Sequence, residues 1–282
     1  MKCLSFSIDG RSTYGALLDA GLVDLGSVLG DQYPSLLDVI EAGQWALMAH
    51  TAHNTKPQLS LTQVVLQLPM PNVKRIFCVG RNYKGHVAEV GAKLPEHPSL
   101  FLRTAQSLAP TEQPIVRPRV STNFDFEGEL TFVIGKAGRH IPKENALQHV
   151  FGYTIMNDGS VRDYQFKHSV AVGKNFERAG SMGPWVVTSD EIPDPSKLIL
   201  STHLNGQQVQ HSPTDDLIFD VPTIIAYISQ FTTLQPGDVI ATGTPDGVGF
   251  VRTPPLWLQP NDVLTVTISG IGTLTNKVID EP

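Results

Sequence analysis

The amino-acid sequence predicts a β-rich α+β protein whose larger part is a barrel or roll of short strands. Seven short apolar runs from residue 75 onward have the length and composition of strands, and glycine or proline residues separate them. Few helical patterns lie between these runs, and strands and helices do not alternate regularly, which argues against a doubly wound α/β fold. The chain has 282 residues, of which 41% are apolar, enough for one large domain or two smaller ones.

The first 70 residues are predicted to form a small α/β N-terminal domain. Its pattern predicts, in order, a strand over residues 3–8, a turn at Asp9-Gly10, a second strand over residues 14–23 and a helix over residues 34–42. Gly43 follows the helical spacing directly and is typical of a helix end. The segment QLPMPNVK contains two prolines and is typical of a linker.

The remaining residues, 71–282, are predicted to form a larger, strand-rich domain. Strands are predicted over residues 75–79, 130–134, 152–156, 185–188, 198–204, 239–242 and 263–268. Helices are predicted after Asn82, over residues 143–149 and over residues 222–231, where a proline stands in the first turn.

Composition narrows the classes of partner. The net charge of −6 and the pI near 5.8 argue against nucleic acid, because phosphate binding needs a basic face. No run approaches the roughly 18 apolar residues of a membrane span, and the first residues lack the pattern of a signal peptide. Cys3 and Cys78 lie in separate apolar runs and predict neither a disulfide framework nor a metal pair. We therefore expect a cytoplasmic enzyme or binding protein.

Three carboxylates have an uncommon arrangement in the middle of the chain. Glu127 and Glu129 are two residues apart at the head of an apolar run, so on a strand they would project to the same face. Two adjacent anions repel each other unless a cation lies between them. Asp158 ends a second apolar run and would complete an all-oxygen site suited to Mg²⁺ or Mn²⁺ rather than zinc. A strand edge with two solvated glutamates is the alternative.

Two pairs of polar residues have helical spacing. His86 and Glu89 are three residues apart and could form a general base with its orienting carboxylate, or an ordinary surface pair. Arg162 and Gln165 follow Asp158 closely and could bind an anion, or they could be the solvated start of a helix.

A lysine and a glycine-rich loop complete the candidate residues. Lys174 has glycine and aromatic neighbours in VGKNF, a setting that predicts either a structural ion pair or a catalytic cation. The loop ATGTPDGVGF offers the Thr244 hydroxyl and backbone N–H groups to a carboxylate. It lacks the GK[ST] ending of a Walker loop, so a nucleotide site is not predicted.

Several of these motifs together resemble the fumarylacetoacetate hydrolase family. They are, in order, GRNYKGHVAE, DFEGELTFVIGK, GYTIMNDGSVRDYQ, GKNF, GPW, NG…Q, TLQPGDVIATGTPDGVG and a closing GIGTL-N-V. The match covers about residues 74 to 280. The resemblance implies a β-roll of mixed sheets, usually a homodimer, and longer members of the family have a short N-terminal domain before it.

The resemblance also implies roles for the candidate residues. It implies three metal ligands, Glu127, Glu129 and Asp158, for Mg²⁺ or Mn²⁺. It implies catalytic roles for Lys174 and for His86 with Glu89 on a lid, and substrate binding by Arg162, Gln165 and Thr244. Two departures from the family pattern concern the pocket. Arg103 stands where a lysine near the pocket mouth is usual, and the segment 166–173 is short.

The implied function is metal-dependent hydrolysis of the C–C bond of a 2,4-dioxo acid, such as an acylpyruvate, to a 2-oxo acid and a carboxylic acid. The metal would stabilise the enolate that forms when the bond breaks. The same site could decarboxylate oxaloacetate, or hydrate or isomerise an unsaturated 2-oxo acid, because one scaffold supports several reactions. A carboxylate-binding protein without activity is a further alternative, although mere binding needs no base.

Overall fold

The computed structural model describes residues 1–282 and shows a mixed α+β protein rich in strands. In chain order the strands are β1 (Lys2–Ile8), β2 (Arg11–Leu18), β3 (Gly21–Asp24), β4 (Val65–Leu66), β5 (Ile76–Gly80), β6 (Ser99–Arg103), β7 (Leu108–Pro110), β8 (Ile115–Arg117), β9 (Phe124–Asp125), β10 (Gly128–Ile134), β11 (Val150–Asn157), β12 (Ser160–Val161), β13 (Gly180–Thr188), β14 (Ile199–Leu204), β15 (Gln207–Pro213), β16 (Val239–Ala241), β17 (Val263–Ile268) and β18 (Gly272–Asp280).

The helices are short. They are α1 (Gly26–Leu29), α2 (Leu36–Glu41), α3 (Trp45–Asn54), α4 (Lys84–Glu89), α5 (Arg162–Lys167), α6 (Val170–Lys174) and α7 (Val221–Phe231), with 3₁₀ turns at Leu61–Gln63, Ala105–Ser107, Lys143–His149, Pro195–Lys197 and Thr214–Asp216. None of them is both long and apolar enough to cross a membrane.

The strands form three sheets. An eleven-stranded sheet has the order β3-β2-β1-β13-β11-β10-β16-β5-β6, with β4 beside β1 and β7 beside β13. A five-stranded sheet has the order β15-β14-β17-β18-β8, and β9 pairs with β12. Three pairings are parallel, namely β16 with β5, β13 with β7 and β18 with β8, and the rest are antiparallel. The mixed sheets agree with the predicted fold class.

The large sheet continues across the predicted linker. Strand β1 pairs with β13 in the register Lys2↔Val187, so the first strands extend the sheet that carries β10 and β11. One buried apolar cluster includes both Leu36 of α2 and Met156 of β11. A division into residues 1–70 and 71–282 remains a prediction about folding units.

Two predicted elements differ from the structure. Residues 14–23 form the hairpin of β2 and β3 rather than one strand, because the chain turns at Asp19-Ala20 and pairs back on itself. Residues 143–149 form a 3₁₀ helix, packed against α7, rather than an α-helix. The predicted helix 34–42 corresponds to α2, whose capping box joins Ser35 and Asp38.

The central strands of the large sheet position the site. Strands β10 and β11 are completely buried and pair antiparallel, with Gly128 opposite Asn157 and Glu129 opposite Met156. Apolar side chains of both strands pack into two clusters of 24 buried residues each. A fully buried aliphatic side chain contributes about 1.5–3 kcal/mol, so these clusters hold the paired strand ends firmly.

Candidate active site

Three buried carboxylates meet where β10 begins and β11 ends. Ligand oxygens of Glu127, Glu129 and Asp158 all lie within 4.8 Å of one another. Glu129 is in β10, whereas Glu127 precedes that strand, and the Asp158 N–H donates to the Glu127 carbonyl oxygen at 2.8 Å. The structure thus brings together the three acids that the sequence pairs with a metal. All three side chains are buried, which excludes the solvated strand edge.

Lys174 bridges two of the three acids. Its Nζ donates to Glu127 Oε2 and to Asp158 Oδ2, each at 2.6 Å, and to the Asp158 carbonyl oxygen at 3.0 Å. Burial lowers the pKa of Lys174, but the carboxylates of Asp158 and Glu127 outweigh it and raise the pKa above its ordinary value. The ammonium group is therefore charged and all its donors are used.

Arg162 joins the cluster to a fourth carboxylate, that of Asp125. Arg162 Nε donates to Asp125 Oδ2 at 2.8 Å, and Nη1 donates to Gln165 Oε1 at 2.9 Å. Arg162 Nη2 lies 2.7 Å from Glu127 Oε1 and 2.8 Å from Asp125 Oδ2, at angles that make ion pairs but no hydrogen bond. Burial raises the pKa of Glu127, but Lys174 and Arg162 outweigh it and lower the pKa to about 2.

Glu129 differs from its two neighbours because no cationic side chain pairs with it. Its Oε2 accepts one hydrogen bond, from the Gly243 N–H at 2.8 Å. Burial, and next the charges of Asp158 and Glu127, raise its pKa well above the ordinary value. Gly243 has a φ of +100°, and a Cβ there would lie 2.9 Å from Asn82 Cβ, so this approach requires glycine.

The charge balance of the cluster fits a divalent cation. Its buried carboxylates are those of Asp125, Glu127, Glu129 and Asp158, and its buried cationic side chains are those of Arg103, Arg162 and Lys174. When all four carboxylates are ionised, as metal ligands are, one negative charge is in excess, and it falls on Glu129, which has no cationic partner. Oxygen ligands with an excess negative charge are what Mg²⁺ and Mn²⁺ prefer.

His86 and Glu89 meet as their spacing predicts. His86 Nδ1 lies 3.3 Å from Glu89 Oε2 on α4, and Glu89 Oε1 accepts a hydrogen bond from the Gly247 N–H at 2.9 Å. The pair is not an ordinary surface pair, because His86 is buried and lines the cavity described below. Glu89 thus ties α4 to the glycine-rich loop.

Thr244 is buried at the other side of that loop. Its Oγ1 accepts a hydrogen bond from Gln210 Nε2 at 2.8 Å, and Gln210 Oε1 accepts one from the Gly128 N–H at 3.0 Å. Gln210 therefore links the loop to the start of β10. The Thr244 hydroxyl hydrogen remains available to a ligand.

Arg103 does not lie at the pocket mouth, contrary to the expectation from sequence. Its Nη1 donates to Asp158 Oδ1 at 2.5 Å and to the Gly159 carbonyl oxygen at 3.0 Å. Its Nε and Nη2 donate to the Oγ and the carbonyl oxygen of Ser107. The side chain is completely buried because it ends β6, whose partner β5 belongs to the central sheet. The exchange of lysine for arginine thus affects the carboxylate cluster.

A cavity of about 380 Å³ opens onto the cluster. Its lining comprises Val79, Gly80, Arg81, His86, Val90, Ser99, Phe101, Glu127, Glu129, Asp158, Arg162, Gln165, Phe166, Val170, Lys174, Thr244 and Phe250. Eight of the nine residues singled out from the sequence belong to this lining, and Glu89 reaches it through His86. The short segment 166–173 forms part of the wall through Phe166 and Val170. Helices α5 and α6 lie so close that a Cβ on Gly173 would be 2.5 Å from Gln165 Cβ.

Sequence reasoning missed two residues that hold the site together, Asp125 and Gln210, and it placed a third, Arg103, at the pocket mouth. Asp125 accepts hydrogen bonds from the Gly249 and Phe250 N–H groups and binds Arg162. The sequence feature that could have revealed Asp125 is its spacing, because it lies two residues before Glu127 as Glu127 lies two residues before Glu129. Gln210 had a weak signal, as a polar residue in an alternating strand. No sequence feature of Arg103 could reveal its contact with Asp158, because the two residues are 55 positions apart in the chain.

Comparison with known proteins agrees with this site. Residues 75–279 match the family model described as fumarylacetoacetate hydrolase C-terminal. "Oxaloacetate tautomerase fahd2, mitochondrial" of Xenopus laevis is 38% identical over 269 residues, 93% of this chain and 84% of the relative. "Oxaloacetate tautomerase YisK" of Bacillus subtilis is 42% identical over 225 residues, 78% of this chain and 74% of the relative.

A solved structure resembles the whole chain. The maleylpyruvate hydrolase from Sphingobium sp. SYK-6, in complex with manganese(II) and pyruvate, has a TM-score of 0.83 and 28% identity, and the match covers 100% of both chains. The family match extends over far more than half of the sequence and includes all nine candidate residues. This chain therefore belongs to the fumarylacetoacetate hydrolase family.

Proposed function

We propose that this chain is a divalent-metal-dependent enzyme that interconverts the keto and enol forms of a 2-oxo acid, with oxaloacetate as its substrate. The observation that carries the proposal is the buried cluster of Glu127, Glu129 and Asp158 in a cavity that His86 also lines. This arrangement combines a cation site with a proton carrier. The names of the two relatives, both oxaloacetate tautomerases, support the choice of reaction.

Glu127, Glu129 and Asp158 would hold Mg²⁺ or Mn²⁺, and three carboxylate ligands leave further positions for substrate oxygens. When bound, the cation would stabilise the negative charge that develops on the 2-oxo oxygen. The manganese in the related maleylpyruvate hydrolase structure supports this ligand set.

His86 would carry the proton. Glu89 Oε2 lies beside Nδ1 and, as an anion, favours the tautomer with a proton on that nitrogen. Nε2 is then free to accept a proton from C3 of the substrate. The electron pair of the broken C3–H bond forms the C2=C3 double bond, and the proton held on His86 Nε2 then passes to the 2-oxo oxygen. The reverse sequence restores the ketone, so no other reactant is consumed.

The remaining predicted residues would bind and orient the substrate. Thr244 has a free hydroxyl hydrogen that can be donated to the carboxylate next to the 2-oxo group, and Arg162, which lines the same cavity, places its positive charge nearby. Gln165 lies against Arg162 and lines the same wall. Lys174 pairs with Glu127 and Asp158 and would add its positive charge where negative charge develops during turnover.

A direct test follows the enol of oxaloacetate by its ultraviolet absorbance, with purified protein and Mg²⁺ or Mn²⁺. We expect the protein to accelerate ketonisation, chelation to abolish the acceleration and either metal to restore it. Exhaustively chelated protein with full activity would contradict the metal assignment. Metal-loaded protein that leaves the uncatalysed rate unchanged would contradict the reaction.

A second candidate is C–C bond hydrolysis of an acylpyruvate, the function first predicted from the sequence. The His86–Glu89 pair supports it, since a base that accepts a proton from C3 could also accept one from water. The related maleylpyruvate hydrolase supports it as well. Loss of acylpyruvate absorbance with formation of a carboxylic acid would identify this activity, and CO₂ release from oxaloacetate would identify decarboxylation.

A cytoplasmic location and a homodimer stay predictions. Light scattering would measure the oligomeric state.

A further inference from the structure

The cavity contains one cationic side chain that the proposed mechanism does not use. Arg81 follows directly after β5, and Val79, Gly80 and Arg81 form one continuous stretch of the cavity wall. The guanidinium group makes no hydrogen bond and no ion pair with the protein, and the residue is exposed to the cavity and solvent. Its charge is therefore available to a ligand.

The other cations of the cavity are already engaged. Lys174 donates to Glu127 and Asp158. Arg162 binds Asp125 and Glu127, and only part of its donor capacity remains. No other lysine or arginine lines the cavity, and six of its lining residues are apolar: Val79, Val90, Phe101, Phe166, Val170 and Phe250. A second anionic group on a ligand would thus find its free cationic partner at Arg81.

The backbone on both sides of Arg81 is firmly held. Strand β5 fixes the preceding residues through its pairing with β16 and β6. Asn82 is completely buried, and its side chain donates to the carbonyl oxygens of Thr242 and Phe219 and accepts from the Phe219 N–H. Arg81 therefore projects from a rigid turn, which lowers the entropic cost of binding an anion.

The charges of the site indicate how many negative charges its ligand carries. The buried groups of the cluster have one negative charge in excess, so a bound divalent cation would leave one positive charge. A monocarboxylic 2-oxo acid neutralises that charge by itself. A dicarboxylic 2-oxo acid adds one more negative charge, and Arg81 supplies the matching positive charge.

We propose that Arg81 binds the distal carboxylate of a dicarboxylic 2-oxo acid and so sets a preference for dicarboxylic over monocarboxylic substrates. This inference rests on the proposed function only in that a 2-oxo acid occupies the cavity. Oxaloacetate and 2-oxobutyrate form a matched pair for the test, because a methyl group in the latter replaces the distal carboxylate of the former.

The experiment compares wild type, Arg81→Gln, Arg81→Lys and the control Lys84→Gln. Lys84 lies three residues further on, is exposed and does not line the cavity. C3 proton exchange into D₂O, followed by NMR, reports kcat and KM for both substrates. Because Arg81 is exposed, its hydrogen bond to the distal carboxylate should contribute at the low end of the range usual for hydrogen bonds between charged groups. We therefore expect Arg81→Gln to raise KM for oxaloacetate about tenfold. We expect Arg81→Lys to recover part of this loss and Lys84→Gln to leave KM as in wild type.

The KM for 2-oxobutyrate should stay within about twofold in Arg81→Gln, because the lost partner binds a group that this substrate lacks. Added salt should raise the wild-type KM for oxaloacetate, since it screens exposed charges, and should act less on Arg81→Gln. Equal losses for both substrates, no loss for either, or the same loss in Lys84→Gln would overturn the inference.

Failure of the proposed reaction can be told apart from failure of this inference. If wild type exchanges neither substrate, calorimetry with Mg²⁺-loaded protein still measures the affinity for each acid. An Arg81-dependent preference for oxaloacetate in binding would support the inference without the reaction. Equal affinities in wild type and Arg81→Gln would overturn it.

Discussion

Arg103 Nη1 lies 2.5 Å from Asp158 Oδ1, and both side chains are completely buried. Asp158 therefore has two cationic partners, Arg103 and Lys174, whereas Glu129 of the same cluster has none. Arg103 does not line the cavity, so it acts on the site through Asp158. This uneven distribution of charge determines what each substitution in the cluster should do.

Arg103→Lys should weaken the site although it keeps the charge. An ammonium group cannot reproduce the fork of contacts with Asp158, Gly159 and Ser107. We expect a loss of about 1–3 kcal/mol in unfolding free energy and weaker Mg²⁺ binding. Arg103→Met should cost more, about 3–5 kcal/mol, because it leaves a buried charge with less compensation. Denaturant unfolding and metal titration measure both effects, and equal stability of the two variants would contradict this account.

Glu129→Gln should separate metal binding from folding. The raised pKa of Glu129 means that metal-free protein loses stability as pH rises from about 4.5, the ordinary value, through the raised pKa. Glutamine does not titrate and avoids this loss. We expect a Tm about 2 °C or more above wild type in EDTA at pH 8, an advantage that vanishes near pH 4.

The same variant should lose most of the Tm increase that Mg²⁺ produces in wild type. Glu177→Gln is the matched control, because Glu177 is exposed and outside the cavity lining. It should behave like wild type in both conditions. A Glu129→Gln variant that is stabilised by Mg²⁺ as strongly as wild type would show that the ion binds elsewhere.

Lys174→Met should lower kcat more than it lowers metal affinity. Methionine keeps much of the length of lysine but removes the charge shared by Glu127 and Asp158. Bound Mn²⁺ still neutralises the two carboxylates, so the metal should stay in place. The lysine charge is missing during turnover, and we expect kcat to fall about 10²–10³-fold. Electron paramagnetic resonance of Mn²⁺ shows whether the metal is still present. Unchanged kinetics would show that Lys174 has only a structural role, as an ion-pair partner of Glu127 and Asp158.

His86→Ala should distinguish proton transfer from decarboxylation. Keto–enol exchange and acylpyruvate hydrolysis both need a base, and loss of a base costs about 10²–10⁴-fold in kcat. Decarboxylation of oxaloacetate needs none for the bond that breaks, so CO₂ release should fall far less. Glu89→Gln should give a smaller loss than His86→Ala, since it removes only the charge beside Nδ1. Equal losses in all activities, with substrate and metal still bound, would instead assign His86 to closure of the cavity.

Local sequence patterns predicted much of the fold. All seven strands predicted in residues 71–282 are present, because a buried strand needs an apolar run and glycine or proline ends it. The same rule missed the turn between β2 and β3, where the chain reverses at Asp19-Ala20. It also missed β18, whose polar and apolar residues alternate because only one face is buried.

The sequence by itself determined which side chains could act: the acidic pair Glu127 and Glu129 at a strand start, and His86 with Glu89 at helical spacing. Both follow from local periodicity, which the backbone imposes over a few residues. Only the tertiary structure decided that Arg103 binds Asp158 and that Glu129 is without a cationic partner. Such contacts join residues far apart in the chain and depend on the pairing of whole strands, so no local pattern encodes them.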